Sequence, residues 1–475
     1  MARATSRQED WATSGVDLLL GIDRGAGVRA SLERCLRDAI ADGRLRAGTR
    51  LPSTRTLAAD LRIARGTVLE AYMHLAAEGW IRGRRGSGTV VAAIGRAQPP
   101  PEESSAPVEE RLRHDLRAGR PDPTSFPRTA WLRALRRALS IAPADALGLG
   151  DPRGLPELRE QLAEYLARAR GLRVRPQQIA VTTGFTQSLS LVARALAGRG
   201  GTTIAMEDPC LHHHRRIVTA AGLSIEPMPV DDDGACVEAV SDTPAAVLVT
   251  PNRQHPLGMP LAAARRAQLL EWARATSALV IEDDYDGEFR YDGAPIGALQ
   301  GLEPGRVIYA GTTSKSLAPG VRLGWLVLPP DLLEPTLAQK ETADWQTGAL
   351  EQLALAELIR SGDYDRHIRK MRLRYRRRRD VLVDALQARF AAESIGGTAA
   401  GLDLHVLLPD VERERELLQA AAERGLALHG LASSGYAHGG EEAGRAGLIV
   451  GYAAPPEHAY AGAVQVLLEA VADRG

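Results

Sequence analysis

Lysine is scarce in this chain: Lys315, Lys340 and Lys370 are the only three among 475 residues. The setting of Lys315 suggests chemistry. It follows the apolar run Val307-Ile308-Tyr309-Ala310, which reads as a buried strand. An amine held at a strand end in a partly desolvated pocket has a lowered pKa, so it can attack an aldehyde and form a Schiff base. Thr312 and Ser314 just before it, with Arg322 seven residues after it, can together hold a phosphate, the arginine as a bidentate donor. Aldehyde and phosphate on one small molecule describe pyridoxal 5′-phosphate, PLP. Its ring draws electrons only while the pyridine nitrogen is protonated, which requires a carboxylate there and usually a phenol or amide at the ring oxygen. Glu282-Asp283-Asp284-Tyr285 offers both, directly after another strand-like run at 278–281. Alone, Ser314-Lys315 would read as a snorkelling surface lysine beside a structural arginine. The acidic run alone would read as a solvated loop or a metal site, but no histidine stands beside it at ligand spacing, so no metal is expected.

These residues can meet only where strand ends converge. In a parallel sheet the carboxyl ends of the strands open onto one crevice. Apolar runs at 179–182, 203–206, 246–249, 278–281, 307–310 and 325–328 alternate with helical stretches and turn signals, which predicts a mostly parallel α/β sheet covered by helices. Thr183 to Gln187 form a loop entering a helix, where free backbone N–H groups attract anions. Residues 401–407 alternate like a strand, and with the helical stretch from His458 they predict a smaller C-terminal α/β lobe from about residue 380.

Thr183-Gly184-Phe185-Thr186-Gln187, Glu207-Asp208-Pro209, Thr250-Pro251 with Gln254 and Pro256-Leu257-Gly258, Glu282-Asp283-Asp284-Tyr285, and Ser314-Lys315 with Arg322 occur in the order seen in fold-type I aminotransferases. Their wording resembles the aminotransferase-like domain of MocR/GabR-type regulators, a branch of the GntR family, from about Asp115 to the C-terminus. The resemblance implies that Lys315 is the Schiff-base lysine, Asp283 faces the pyridine nitrogen and Tyr285 faces the ring oxygen. It further implies that Thr312, Ser314 and Arg322, with Gly184, Phe185 and Thr186, hold the phosphate. His255 stands where the regulators commonly have an aromatic and the aminotransferases an asparagine, which points it at the ring oxygen or at an effector. Two positions depart from the pattern. Leu211 occupies the place of a tyrosine that covers the ring, so stacking is reduced or His212 supplies it. Ile449 occupies the register of the arginine that grips a substrate carboxylate, which puts ordinary amino-acid transamination in doubt.

Upstream, Leu32, Leu36, Ala39 and Ile40 recur at helical spacing, and Gly43 and Gly48 break the pattern. Ser53 is placed to cap a second helix at 54–61, and Ala64-Arg65-Gly66-Thr67-Val68 opens a third that runs to Glu78. Residues 80–91 read as a hairpin with a basic, Gly-rich tip. Three helices and such a hairpin make a winged helix-turn-helix. Between residues 25 and 95 there are twelve arginines and six acids, in a chain that balances 59 positive against 59 negative residues overall. That local surplus supplies phosphate affinity. The wording Arg50-Leu51-Pro52-Ser53-Thr54-Arg55, Ala64 to Val68 and Arg84 to Thr89 resembles the GntR DNA-binding domain. The resemblance implies DNA contacts from Arg55 and Arg65 at the ends of the two short helices, Thr67 on the recognition helix, and Arg84, Arg85 and Gly88 in the wing; Gly66 stands where this family often has asparagine.

The expected organisation is a winged helix-turn-helix at 25–93, a linker at 94–114 marked by Pro99-Pro100-Pro101, and an aminotransferase-like domain at 115–475. Residues 1–24 carry no functional reading. The dense arginines of 365–379 read as an amphipathic helix with a charged face, with a second DNA contact as the sharper alternative. Three cysteines in no C-x-x-C pair fit a reducing compartment, and the N-terminus lacks an apolar run long enough for a signal peptide or membrane span, so a soluble cytoplasmic protein is expected. Taken together, these features predict a homodimeric, PLP-dependent regulator that binds operator DNA and senses an amine, an amino acid or PLP itself. An active aminotransferase with an appended DNA-binding module is the main rival. A DNA-binding protein whose second domain has lost its cofactor and only dimerises is the third.

Overall fold

The structure is a computed structural model and describes residues 22–23, 27–84, 88–93, 113–293, 296–440 and 445–472. The chain divides into two compact units, Met1–Val108 and Glu109–Gly475. Arg85 and most of the stretch read as a linker, 94–112, lie outside the described residues, as do 1–21.

The first unit packs helices α1 (Val28–Ala41), α2 (Thr54–Leu61) and α3 (Arg65–Ala77) against a hairpin of β1 (Ile81–Arg84) and β2 (Gly88–Val91). The strands are antiparallel, in register from Ile81↔Val91 to Arg84↔Gly88. Leu32, Leu36 and Ala39 from α1 meet Val68, Ala71, Tyr72 and Leu75 from α3 over Leu57, Ile81 and Val91. Each helix therefore buries the stripe that its spacing predicts. Ser53 caps α2, its Oγ accepting from the Thr56 amide at 3.1 Å, and Arg62 ends it in the left-handed region at φ 52°. Ser53→Ala should cost the unit about 1 kcal/mol, a fall in midpoint of about 4–8 °C for a domain of this size. Thermal unfolding followed by circular dichroism reads that shift directly, and an unchanged midpoint would deny the cap any role.

The second unit is built on an eight-stranded sheet. After β3 (His114–Asp115), α4 (Arg128–Ile141) and α5 (Pro156–Arg170), its members come in the order β4 (Ile179–Thr182), α6 (Phe185–Gly198), β5 (Thr203–Asp208), α7 (His212–Ala220), β6 (Ser224–Asp231) and β7 (Gly234–Ala235). There follow β8 (Ala246–Val249), α8 (Ala263–Thr276), β9 (Leu279–Asp284), β10 (Val307–Thr312) and β11 (Gly324–Val327). Across the sheet the order is β4-β11-β10-β9-β8-β5-β6-β7. The run from β10 to β6 is parallel, whereas β11 is antiparallel to both its neighbours and β7 is antiparallel to β6. Fully buried strands such as Ala246–Val249 are apolar at every position because helices cover both faces. Leu189, Val192 and Leu196 of α6 pack on one side, and Leu269, Leu270 and Ala273 of α8 on the other. The strand β6 escaped the reading of apolar runs because Pro227 and Pro229 interrupt it. It meets β7 only at Val230 and Asp231, so along most of its length it is an edge, where a missing N–H costs no ladder bond.

Helices α9 (Pro330–Ala343), α10 (Ala349–Arg360) and α11 (Asp363–Gln387) lead to a four-stranded antiparallel sheet ordered β12-β13-β16-β15. Its strands are β12 (Ile395–Gly396), β13 (Asp403–Leu407), β15 (His429–Gly430) and β16 (Gly447–Gly451), with α12 (Val411–Glu423), β14 (Leu426–Ala427) and α13 (Tyr460–Ala472) around them. The arginine-dense segment is indeed amphipathic: Ile368, Met371 and Tyr375 of α11 are buried. Many of its arginines serve the fold. Arg374, Arg377 and Arg378 share Glu457, Arg372 donates to the Glu288 carbonyl, and Arg379 donates to the Gly397 carbonyl.

Candidate functional site

Strands β4, β5, β8, β9 and β10 point their carboxyl ends the same way, and there they enclose a cavity of about 300 Å³. Its lining includes Lys315, Asp283, Tyr285, Thr312, Ser314, Arg322, Phe185, Thr186 and His255, brought together from five separate segments. Asp283 and Thr312 stand at the carboxyl ends of β9 and β10, and Tyr285, Ser314 and Lys315 follow within three residues, as expected for the crevice of an open parallel sheet.

The acidic run shows how strand alternation divides labour. Glu282 is fully buried and accepts from the Leu299 and Gln300 amides at 3.0 and 3.1 Å. Asp284 takes two bonds from Arg170, at 2.7 and 2.9 Å, with further bonds from Asn252 and the Tyr309 hydroxyl. Asp283, between them, points to the opposite face of the sheet, into the cavity. Its Oδ1 is buried with no hydrogen-bond partner among the described residues. Burial and the like charge of Asp284 push its carboxyl well above the ordinary range, against the pull of Lys315. A buried carboxylate left unpaired is costly, so this position calls for a cationic or N–H partner from a ligand.

Burial lowers the Lys315 amine, against the opposing pull of Asp403 and Asp283. Its Nζ donates to the Gly119 carbonyl at 2.5 Å. Gly119 has φ +68°, a left-handed backbone that suits glycine. The Gly119 amide is in turn held by Asp403 Oδ2 at 3.0 Å.

At the other end of the cavity, Gly184 precedes α6 at φ +118°, and a Cβ there would come within 3.5 Å of the Arg322 guanidinium. That φ suits glycine, and the arginine lies beside the helix N-terminus, where the first-turn amides of Phe185 and Thr186 have no intrahelical acceptor. Beside them Thr312 Oγ1 donates to Ser314 Oγ at 2.9 Å and accepts from the Ser314 amide at 3.1 Å. Hydroxyls, guanidinium and helix N-terminus together form an anion cradle.

Tyr285 is clamped by one residue. Its hydroxyl accepts from Arg253 Nη1 at 3.0 Å and donates to the Arg253 carbonyl at 3.1 Å. Arg253 is 1% exposed and reaches Asp403 Oδ1 at 2.5 Å and Asp286 Oδ2 at 3.6 Å. His255 lies edge-on to both Tyr285 and Tyr436, at 5.9 and 5.5 Å between ring centroids. Its Nδ1 is buried without a partner among the described residues, and burial pushes its pKa down to about 4, leaving it neutral at physiological pH. Glu207 is pushed up to about 7 by burial and holds the turn at Thr250 through the amide and hydroxyl, at 3.1 and 2.5 Å.

The description "Aminotransferase class I and II" matches residues 115–445, and "Bacterial regulatory proteins, gntR family" matches 29–91. The probable rhizopine catabolism regulatory protein MocR of Rhizobium meliloti is 35% identical over 433 residues, 86% of this chain and 87% of that one. The pyridoxine biosynthesis regulator PdxR of Corynebacterium glutamicum is 36% identical over 363 residues, covering 76% and 79%. The chain belongs to this family of HTH-type transcriptional regulators, in which a gntR DNA-binding domain precedes an aminotransferase domain. Among solved structures, an archaeal alanine:glyoxylate aminotransferase is similar with a TM-score of 0.68 and 26% identity, over 76% of this chain and 91% of the other. The second unit therefore has the fold-type I aminotransferase fold and is a PLP-binding domain, and the unpaired Asp283 and the anion cradle fit that cofactor.

In this regulator several site residues carried no sequence signal. Arg253 and Asp403 look ordinary in a chain rich in arginine, and they stand 150 residues apart. His429 and Tyr436 also line the cavity. Of the two alternatives for the missing tyrosine, reduced stacking or a contribution from His212, the second is not met: His212 is exposed and outside the lining. His213 and His214 enter the cavity instead, with His214 against Phe185 at 4.8 Å between centroids. Burial pushes the His214 pKa down to about 3.

In the DNA-binding unit, Arg55 on α2 and Arg65 at the start of α3 are exposed, and Thr67 is half-buried. Arg84 ends β1. Gly88 opens β2 at φ +86°, where a Cβ would stand 3.4 Å from Arg50 Nε. Among the described residues no helix is long and apolar enough to cross a membrane, and no cluster of ligating side chains suits a metal ion.

Proposed function

We propose that this regulator senses an amino compound at PLP held by Lys315, and that occupancy of the site changes the affinity of the first unit for operator DNA. The observation that carries the reading is the pairing, in one cavity, of the Lys315 amine with a buried carboxyl, Asp283, whose Oδ1 has no hydrogen-bond partner among the described residues. Lys315 would hold the cofactor through its amine, Asp283 would sit at the pyridine nitrogen, and Tyr285 and His255 would face the ring oxygen. Arg322, Thr312, Ser314 and the amides after Gly184 would hold the phosphate. When bound, PLP supplies an aldehyde that bonds amines and a ring that withdraws electrons. The chain's own part is to keep Lys315 poised on the Gly119 carbonyl, keep His255 neutral and fix the Tyr285 phenol through Arg253.

Beyond the groups assigned to the cofactor, the lining includes Ala118, Leu211, His213, His214, His429 and Tyr436, over an apolar cluster of Leu257, Leu431 and Ile449. Among the described residues Lys315 and Arg322 are the only lysine and arginine of the lining. A ligand carboxylate that met no arginine in this half would lose its hydration without gaining an ion pair, at a cost of roughly 1–3 kcal/mol. The lining favours as effector an amine without an α-carboxylate. Titrating the PLP-loaded protein with matched pairs, a primary amine and its α-carboxylated counterpart, should perturb the visible absorbance band at about tenfold lower concentration for the amine. A tighter response to the amino acid would place its carboxylate on another arginine, of which exposed Arg120, paired with Asp115 at 3.2 Å, is nearest in sequence to Gly119.

The same reading takes the protein to be a homodimer in the cytoplasm, with access to DNA. Leu147, Leu149, Trp345 and Leu350 are all at least 44% exposed, and the indole of Trp345 donates to the Gly150 carbonyl, which brings Trp345 beside the segment that carries Leu149. An apolar patch of this kind marks an interface, and fold-type I sites are built between two subunits. The intact Lys315 and Asp283 favour a second reading, that transamination also turns over. Keto-acid-dependent product formation would establish it.

A further inference from the structure

The outward face of α3 carries two large apolar side chains that the fold of the first unit does not use. Val68, Ala71, Tyr72 and Leu75 fill the core, whereas Leu69 is 48% and Met73 63% exposed, one turn apart. On the same face, Gly66 has no atom within 4 Å of where a Cβ would stand. The start of the helix can therefore approach a partner closely. Arg50, Arg55, Arg62, Arg65 and Arg82 are all exposed on this small unit, a charge pattern that suits a polyanion and would oppose a second copy of the same face.

We propose that Leu69, with Met73 behind it, reads the operator by apolar contact with the 5-methyl group of thymine in the major groove. This rests on the first unit binding operator DNA as a winged helix-turn-helix, whose recognition helix presents its N-terminal residues to base edges. The thymine methyl is the apolar group that a base pair displays in that groove. A leucine facing a cytosine or guanine edge would strip water from polar atoms and return no hydrogen bond. The same position therefore both favours thymine and rejects G·C. Glu70, exposed beside Leu69, would repel phosphates but can accept from cytosine N4, which also aims this face at bases rather than at the backbone. Arg55 and Arg65 then serve as the phosphate contacts that set register without reading sequence.

The test uses the full chain. An operator is first selected from a randomised duplex pool, and each of its thymines is then replaced singly by uracil, which removes the methyl group alone. Uracil at one or two thymines per half-site should weaken binding about fourfold, the worth of one buried methyl. Leu69→Ala should weaken the thymine operator by a similar factor and be indifferent to uracil at those positions, whereas Arg65→Ala should weaken thymine and uracil operators equally. The uracil scan on the unaltered chain needs no variant to fold. Wild-type binding that tolerates uracil everywhere, or a selected site without thymine, overturns the inference. So does a Leu69→Ala protein with full DNA affinity and an altered sedimentation mass, which would give this face to a contact between copies. A pool that never enriches contradicts DNA recognition by the first unit itself, a separate failure.

Discussion

Lys315→Ala is expected to abolish the PLP label that borohydride fixes to the protein, while leaving the unfolding of the DNA-binding unit unchanged. The other two lysines are poorly placed to substitute. Lys340 is fully buried in α9, with its Nζ bonded to Asp344 at 2.8 Å and Thr347 at 3.3 Å, and Lys370 is exposed on α11. Only Lys315 among the three enters the cavity that holds Asp283. Removing its amine leaves the Gly119 carbonyl without that donor, at a cost of about 1 kcal/mol, too little to unfold a domain of this size. Mass spectrometry of the reduced protein reads the result. A label that persists on the variant at Lys340 or Lys370 would show that the wrong amine has been assigned.

Arg253→Met should be the most damaging single change outside the direct cofactor contacts. It leaves Asp403, 1% exposed, without its guanidinium, and breaking a buried pair from one side costs about 3–5 kcal/mol. Burial pushes Asp403 up, but Arg253 and its hydrogen bonds hold the carboxyl below the ordinary range. The pair's stabilisation is therefore complete above the ordinary carboxylate pKa and is lost as pH falls through the lower folded value. The penalty of the variant should accordingly be greatest near neutral pH and shrink in acid, where Asp403 is protonated with or without its partner. Function should suffer as well, because the same arginine fixes the Tyr285 hydroxyl and its partner Asp403 holds the Gly119 amide. Urea unfolding of the second unit across pH measures the first effect, and PLP affinity the second. Arg253→Met combined with Asp403→Leu should recover part of the stability, since the charge stranded at Asp403 is removed and only Asp286 is left without the guanidinium.

What could be read from the residues, and what could not, divides along chain separation. The strands β4, β8, β9 and β10 were legible because helices cover both faces and each begins with an unbroken apolar run of three or four residues. Asp283 could be placed because it stands at the end of such a strand, and the order of motifs carried it to the cofactor. The supports behind it were not legible. Gly119 meets Lys315 across 196 residues, and Arg253 meets Asp403 across 150; no local pattern encodes either contact, and one more arginine in this composition stands out from nothing. The misplaced histidine has a similar cause. Three adjacent histidines open α7 in a row, and which of them faces the cavity depends on how that helix docks, with His214 against Phe185 of α6. In the first unit nearly every prediction concerned local spacing, and there the helices fall within a residue of their expected bounds.

One ligand event in the second unit should change what the first unit does with DNA. Thermodynamic linkage requires the effector to bind the two states unequally, and typical couplings of about 1–3 kcal/mol correspond to roughly 5- to 150-fold changes in affinity. The direct measurement is operator affinity of the purified full chain as apoprotein, with PLP, and with PLP plus a panel of primary amines. At least one amine should shift the affinity of the PLP-loaded protein by a factor in that range, and Lys315→Ala should remove the shift. The same affinity in every condition would contradict this linkage.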